Sequence, residues 1–272
     1  MAAVPPRRSP LGVLLRFDLR LALSSPRGVL FLVFFGVVWS WILSKLAGGG
    51  AEKLASEDVG VVLSLVLDGS LLRLIHERPT TLAAYFVIAV TLTPWFAILG
   101  SCDQTAGDLG TKHLRFLIPR VGRSEIFVAR FLGSVILVGG LHLLSAVAAT
   151  IIQLVVGGHD TTDVLRFGLQ VGTTLTLYSI AFVALMSLIS ALVASIGLSL
   201  LAGLGGYLVV VAAATFLSIS WSNAAYLAAI TPAGLKAALL RPSGVAFALV
   251  GLVAYAAAYL GAGFAVFRSR DA

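Results

Sequence analysis

Apolar residues gather in long runs along this chain, and the short segments between the runs carry most of its charge. A helix that crosses a bilayer needs about 20 mainly apolar residues. Residues 29–46, 82–101, 126–156, 169–195, 198–219 and 244–267 meet that length and predict six transmembrane helices. The third and fourth runs are longer than the hydrocarbon requires, so their helices should tilt or project beyond it. Between the fourth and fifth no charge or proline intervenes, and Ser195, Gly197 and Ser199 alone point to a tight turn.

Two further stretches are apolar but interrupted. Residues 59–75 contain Asp68, Gly69 and Arg73. Asp and Arg each cost about 2.5–3.5 kcal/mol at a helix centre, enough to offset about ten Leu and Val at roughly 0.3–0.6 kcal/mol each. The stretch therefore reads as an amphipathic helix on the outer surface, and an ordinary packed loop helix fits equally well. Residues 11–23 are Leu-rich, with Arg16 and Arg20 one turn apart on one face and Asp18 nearly opposite. The alternation of Arg16, Asp18 and Arg20 also suits a strand. The Leu and Ala content favours an interfacial helix at the cytoplasmic surface, ended by Ser24, Ser25 and Pro26. Ahead of it, Arg7, Arg8 and three prolines with no small-residue cleavage site read as the lead into a retained span.

No period of 20 to 50 residues recurs, so the chain reads as one all-α integral membrane protein. A cytoplasmic tail and interfacial helix occupy 1–28, a six-span domain 29–267, and a second cytoplasmic tail 268–272. Composition strengthens this picture: of 272 residues 59% are hydrophobic and only 11% charged, where a soluble domain carries about 25% charged residues. The 28 glycines suit close helix packing in lipid, and Gly139, Gly140, Gly203, Gly205 and Gly206 mark the third and fifth spans as contact faces, within one copy or between two.

The net charge of +7 raises the question of nucleic acid, but the basic residues lie between spans, where membrane orientation accounts for them. Arg7, Arg8, Arg16, Arg20, Arg27, Lys112, Arg115, Arg120, Arg123, Arg130, Arg268 and Arg270 fall on one side, twelve of the 19 basic residues. That bias places both termini in the cytoplasm. Residues 220–242, with Trp221, Tyr226, Pro232, Lys236 and Arg241, then lie outside, where the aromatic side chains suit an interface belt.

Catalytic chemistry finds little support. Cys102 is the sole cysteine, which excludes an intrachain disulfide and a thiolate metal cage. His76, His113, His142 and His159 have no pairing at helical metal-site spacing. Ser145, Ser187 and Ser190 share spans with apolar residues but lack a G-x-S-x-G setting, and hydroxyls in spans usually bond their own helix or a neighbour. Charged residues are nearly absent from the span cores, which argues against a proton- or ion-coupled carrier. The polar His142, Gln153 and Tyr178 are candidates to line a translocation path, or else to bond between helices.

The loop over 102–125, between the second and third spans, is the most patterned polar segment. Asp103 and Asp108 suit a helix start. Leu114, Phe116 and Leu117 offer apolar contacts, and Pro119 stops a helix over about 106–118. Ser124 then suits the N-cap of the third span, with Glu125 in its first turn. This order resembles the ABC type-2 transporter permease family, whose members carry here an acidic residue, Gly-Thr, a Leu-rich short helix, Pro, Arg and a basic residue entering the third span. The matching positions are Asp108, Gly110, Thr111, Leu114, Leu117, Pro119, Arg123 and Arg130.

The resemblance implies the transmembrane subunit of an ATP-driven exporter in the bacterial inner membrane, with the 106–118 helix coupling it to a separate ATP-binding cassette subunit. A second copy, or a related permease, completes such a transporter. The chain has no G-x-x-x-x-G-K-[ST] loop, so ATP and Mg would be held by the partner, and this chain would bind no cofactor and catalyse nothing itself. The alternative is a membrane scaffold or assembly factor with no substrate path.

Overall fold

The computed structural model of the chain describes residues 10–55, 74–75, 77–112, 114–118, 121–220, 231–239 and 244–270. Among these every regular element is helical. Helix α1 (Pro10–Ser24) ends at Ser25, whose extended backbone and hydroxyl, accepting from Gly28 N at 3.1 Å, cap α2 (Pro26–Lys45). Pro26 suits that helix start because it has no amide hydrogen to leave unpaired. A kink over Leu46–Gly50, with Gly49 at φ 83°, leads into α3 (Ala51–Ala55). Then follow α4 (Thr80–Ser101), α5 (Ala106–Gly110), α6 (Leu114–Leu117), α7 (Arg123–Val156), α8 (Thr161–Val193), α9 (Ile196–Ser220), α10 (Pro232–Ala238) and α11 (Val245–Ser269).

Six helices are long and apolar enough to cross a membrane: α2 with its extension to Leu54, α4, α7, α8, α9 and α11. They coincide with the six apolar runs, and the differences lie at the ends. Helix α8 starts at Thr161 instead of 169, because Asp160 Oδ2 accepts from Thr162 N at 3.1 Å and starts the helix in polar sequence. Helix α7 is capped two residues before the expected Ser124: Gly122 is extended, and its N–H donates to Glu125 Oε2 at 3.2 Å. At 34 and 33 residues and 1.5 Å per residue, α7 and α8 are about 50 Å long against about 30 Å of hydrocarbon. The turn between α8 and α9 is two residues, with Ala194 left-handed at φ 52°.

Helices α4 and α8 form the centre, with Leu82, Tyr85, Leu175 and Met186 fully buried. Small residues set the approach distances. At Gly263 of α11 a Cβ would stand 3.1 Å from the Leu188 backbone, so any larger residue would push this crossing apart by a few tenths of an ångström. Gly139 likewise packs on Thr176, and Gly203 on Met186 and Ile98, which makes both internal contacts of this copy. Gly140, Gly205 and Gly206 have nothing within 4 Å, and α9 presents Leu201, Val209 and Phe216 outward.

Helix α1, the loop after α4, the α8–α9 turn and the end of α11 meet at one end of the bundle, as an even number of spans requires. Arg27 lies 3.7 Å from Asp103, Gly110 passes the Ala194 carbonyl, and Arg123 bonds carbonyls of Arg268 and Arg270. Most of 59–75, together with Arg7, Arg8, Pro119, Trp221, Tyr226 and Arg241, lies outside the described residues.

Candidate functional site

At this end the chain builds a buried ionic clamp. Helix α1 lies close along α7 at Gly133, where a Cβ would stand 3.4 Å from Asp18 Cβ, an ordinary contact distance. Arg130 of α7 turns its guanidinium between two carboxylates. Its Nε donates to Asp108 Oδ2 at 3.0 Å, its Nη2 lies 2.8 Å from the same oxygen, and its Nη1 donates to Asp18 Oδ1. The planar fork of arginine suits such double recognition. The side chains of Arg130, Asp18 and Asp108 are 14%, 9% and 13% exposed, so the charges interact with little solvent screening. Burial raises the Asp18 carboxyl to about 6, although Arg130 pulls it down, and neighbouring Asp108 pushes it further up.

The same loop is pinned to α8 by a second set of buried bonds. Gln104 Nε2 donates to the Val183 carbonyl at 3.0 Å, and Ser187 Oγ donates to Gln104 Oε1 at 2.5 Å. The hydroxyls of Thr105 and Ser190 stand 2.9 Å apart. Gly110 then crosses the α8–α9 turn, where a Cβ would stand 2.7 Å from the Ala194 carbonyl oxygen. Thr111 Oγ1 donates back to the Gly107 carbonyl at 2.7 Å.

The expected single helix over 106–118 is therefore two short helices. Lys112, left-handed at φ 57°, ends α5, its N–H bonding back to the Leu109 carbonyl at 3.3 Å. Beyond the break, α6 projects with Arg115 exposed and Phe116 73% exposed. The side chains of Leu114 and Leu117, and all of Pro119, lie outside the described residues. Arg123 does not join this loop tip. Its Nη1 donates to the carbonyls of Arg268 at 2.6 Å and Arg270 at 2.8 Å, a cation at the C-terminal end of α11.

His142, Gln153 and Tyr178 are all buried, and their contacts differ. Gln153 caps α4: its Oε1 accepts from Thr81 N at 2.9 Å and Leu82 N at 3.3 Å, while its Nε2 donates to the Gly157 carbonyl at 3.1 Å. Gln153→Leu leaves those amides unpaired and is expected to cost about 1–3 kcal/mol in detergent-based unfolding; unchanged stability would show that the cap carries no weight. His142 sits 11 residues earlier on α7, about 16 Å along the axis. Its ring meets Phe35 edge-on at 6.0 Å, with neither nitrogen hydrogen-bonded among the described residues. Tyr178 packs its ring on Phe182 at 5.1 Å.

Sequence reasoning had no role for Gln104 or Thr105, and treated Asp18 only as a flaw in an amphipathic pattern. Ser187 and Ser190, three apart on one face of α8, were the available trace of the loop's docking face. No protein-family model matches the chain, and no curated protein matches it.

Proposed function

We propose that this chain is the permease subunit of an ATP-driven transporter of the ABC type-2 kind, an exporter in a bacterial inner membrane. Its energy comes from ATP and Mg on a separate cassette subunit. The observation that carries this reading is the loop after α4, whose base is bonded to three helices. Arg130 ties the loop to α1 and α7, Gln104 and Thr105 tie it to α8, and Phe116 stands exposed beyond them. A loop that served only to orient the chain needs no such anchoring. A push on α6 passes to three helices together, which suits alternation between inward- and outward-facing states. The outward face of α9, with Gly205 and Gly206, is the surface we assign to a second permease copy or a related one.

Affinity purification from solubilised membranes is expected to recover an ATPase with a phosphate-binding loop, and the reconstituted pair to show ATP-dependent efflux. Recovery of the chain with other proteins only, and no efflux, supports the scaffold reading instead. Orientation has its own check. In a Cys102→Ser background, cysteines at Ser56, Ser70 and Thr161 are expected to label from outside the cell and one at Ser269 is not; external labelling at Ser269 reverses the topology.

A further inference from the structure

An open cavity of about 150 Å³ lies between α1, the start of α2, α4 and α7, and Phe31, Gly100 and Leu137 are among the residues that line it. Phe31 marks where α2 comes down on the other two spans. A Cβ on Gly100 would stand 2.8 Å from Phe31 Cζ and 2.9 Å from Val138 Cγ2, so ring, glycine and valine meet at one point. Four residues further along each helix, about 6 Å deeper, the same three spans meet again: Phe35 packs on Phe96 at 4.8 Å and on His142 at 6.0 Å. A third layer follows, in which Trp39 packs on Tyr85 at 4.9 Å and the hydroxyls of Tyr85 and Ser145 stand 2.7 Å apart.

Behind Phe31 this seam buries polar groups that nothing pairs. His142 is fully buried and Trp39 is 3% exposed, yet both imidazole nitrogens and the indole Nε1 have no hydrogen-bond partner among the described residues. Buried polar groups are nearly always bonded, and a polar side chain within a span serves either a neighbouring helix or a water-filled path. These nitrogens bond to no neighbouring helix, which leaves the path. Among the described residues, moreover, α2 makes no side-chain hydrogen bond to α4 or α7; rings hold it there, and its Arg27 reaches only Asp103 of the loop, at 3.7 Å. Parting the seam therefore breaks packing and no hydrogen bond. The kink at Leu46–Gly50, with Gly49 left-handed, gives α2 a pivot at its far end.

We propose that the cavity is the mouth of a path between α2, α4 and α7, that Phe31 is its gate, and that His142, Trp39 and the Tyr85–Ser145 pair are its hydrogen-bonding wall. The proposal deepens the permease reading and rests on it for the use of the path. The structure holds the gate shut. Opening turns the Phe31 ring away from Gly100, lifts α2 from its neighbours and brings water to the nitrogens of His142 and Trp39. Residues 28–44, 80–102 and 131–156 contain no Asp, Glu, Lys or Arg, so a permanent ion would find no counter-charge along the seam. What passes is an uncharged, largely apolar molecule that carries a hydrogen-bonding group.

The test is water access to the sealed layers. In a Cys102→Ser background the full chain, in lipid nanodiscs and without any partner, carries His142→Cys and is treated with a water-soluble maleimide; the adduct is followed by mass spectrometry. Labelling is expected to be slow with Phe31 in place and about tenfold faster with Phe31→Ala, the change that follows when the closed state loses about 1.4 kcal/mol. Ser145→Cys, nearly isosteric, is the second reporter and carries the test if His142→Cys does not fold; Phe31→Leu stands in for Phe31→Ala on the same ground. Ala184→Cys, fully buried in α8, is expected to stay unlabelled in both backgrounds. No labelling at either reporter overturns the path, and a rate that the Phe31 variant leaves unchanged overturns the gate. Equal acceleration at Ala184→Cys would mean general loosening of the bundle and overturns both. Labelling is read on the chain alone, so it succeeds or fails apart from the recovery of an ATPase and from efflux, by which the permease reading is judged.

Discussion

Arg130→Met is expected to lower the stability of the folded chain by about 3–5 kcal/mol, the usual penalty for removing one partner of a buried ion pair. It leaves the carboxylates of Asp18 and Asp108, 9% and 13% exposed, facing each other without a counter-charge. Adding Asp18→Asn and Asp108→Asn to Arg130→Met is expected to recover most of the loss, because neutral amides carry no such repulsion. Denaturant unfolding in mixed micelles reads both effects, and a wild-type midpoint for Arg130→Met alone would remove the clamp from the account of stability. The clamp also carries a pH signature. Burial raises Asp18 from 3.8 to about 6, so in that window the folded chain holds this proton more tightly than the unfolded one. Its contribution to stability therefore falls as pH rises through the window and levels off above it. Asp18→Asn is expected to remove that slope.

The six spans were legible because a run of some twenty apolar residues is a signal that needs no tertiary information. Their ends were not. The first turns of α8 contain Thr161, Thr162, Asp163 and Arg166, which hydropathy discounts, and the capping Asp160 was the trace of the true start. The loop after α4 was located by its composition, yet nothing in the sequence signals the left-handed cap at Lys112, whose N–H bonds back to the Leu109 carbonyl at 3.3 Å. A lysine is not a residue that favours positive φ, and two residues earlier Gly110 packs against the Ala194 turn. Asp18 shows how a local misfit carries information. It spoils the amphipathic pattern of α1 because it serves Arg130, a residue 112 positions away. Gln153 was visible as a polar group in a costly place, and only the three-dimensional arrangement made it the cap of α4.

Changing Phe116 and Leu117 together to Ser is expected to leave the isolated chain folded and to separate it from the ATPase subunit proposed for it. Phe116 is 73% exposed, and substitutions at exposed positions usually change stability by no more than about 0.5 kcal/mol. The same ring buried against a partner is an anchor of the kind that dominates an interface, worth about 2 kcal/mol or more, so binding is expected to weaken by about thirtyfold or more. Leu117 belongs to the same short helix, α6. Arg115, exposed beside them, is the control: Arg115→Ala removes charge without the apolar anchor and is expected to act less. Four readouts keep the possibilities apart, namely unfolding of the variant alone, binding of the ATPase subunit, ATP hydrolysis, and ATP-driven efflux from vesicles. Unfolding of the isolated variant would make the two residues structural. Wild-type binding with coupled efflux would mean that the tip of the loop is not where force enters. Hydrolysis that continues while efflux stops is the result expected of an anchored loop that has lost its grip, because Arg130, Gln104 and Thr105 would still hold its base to the spans.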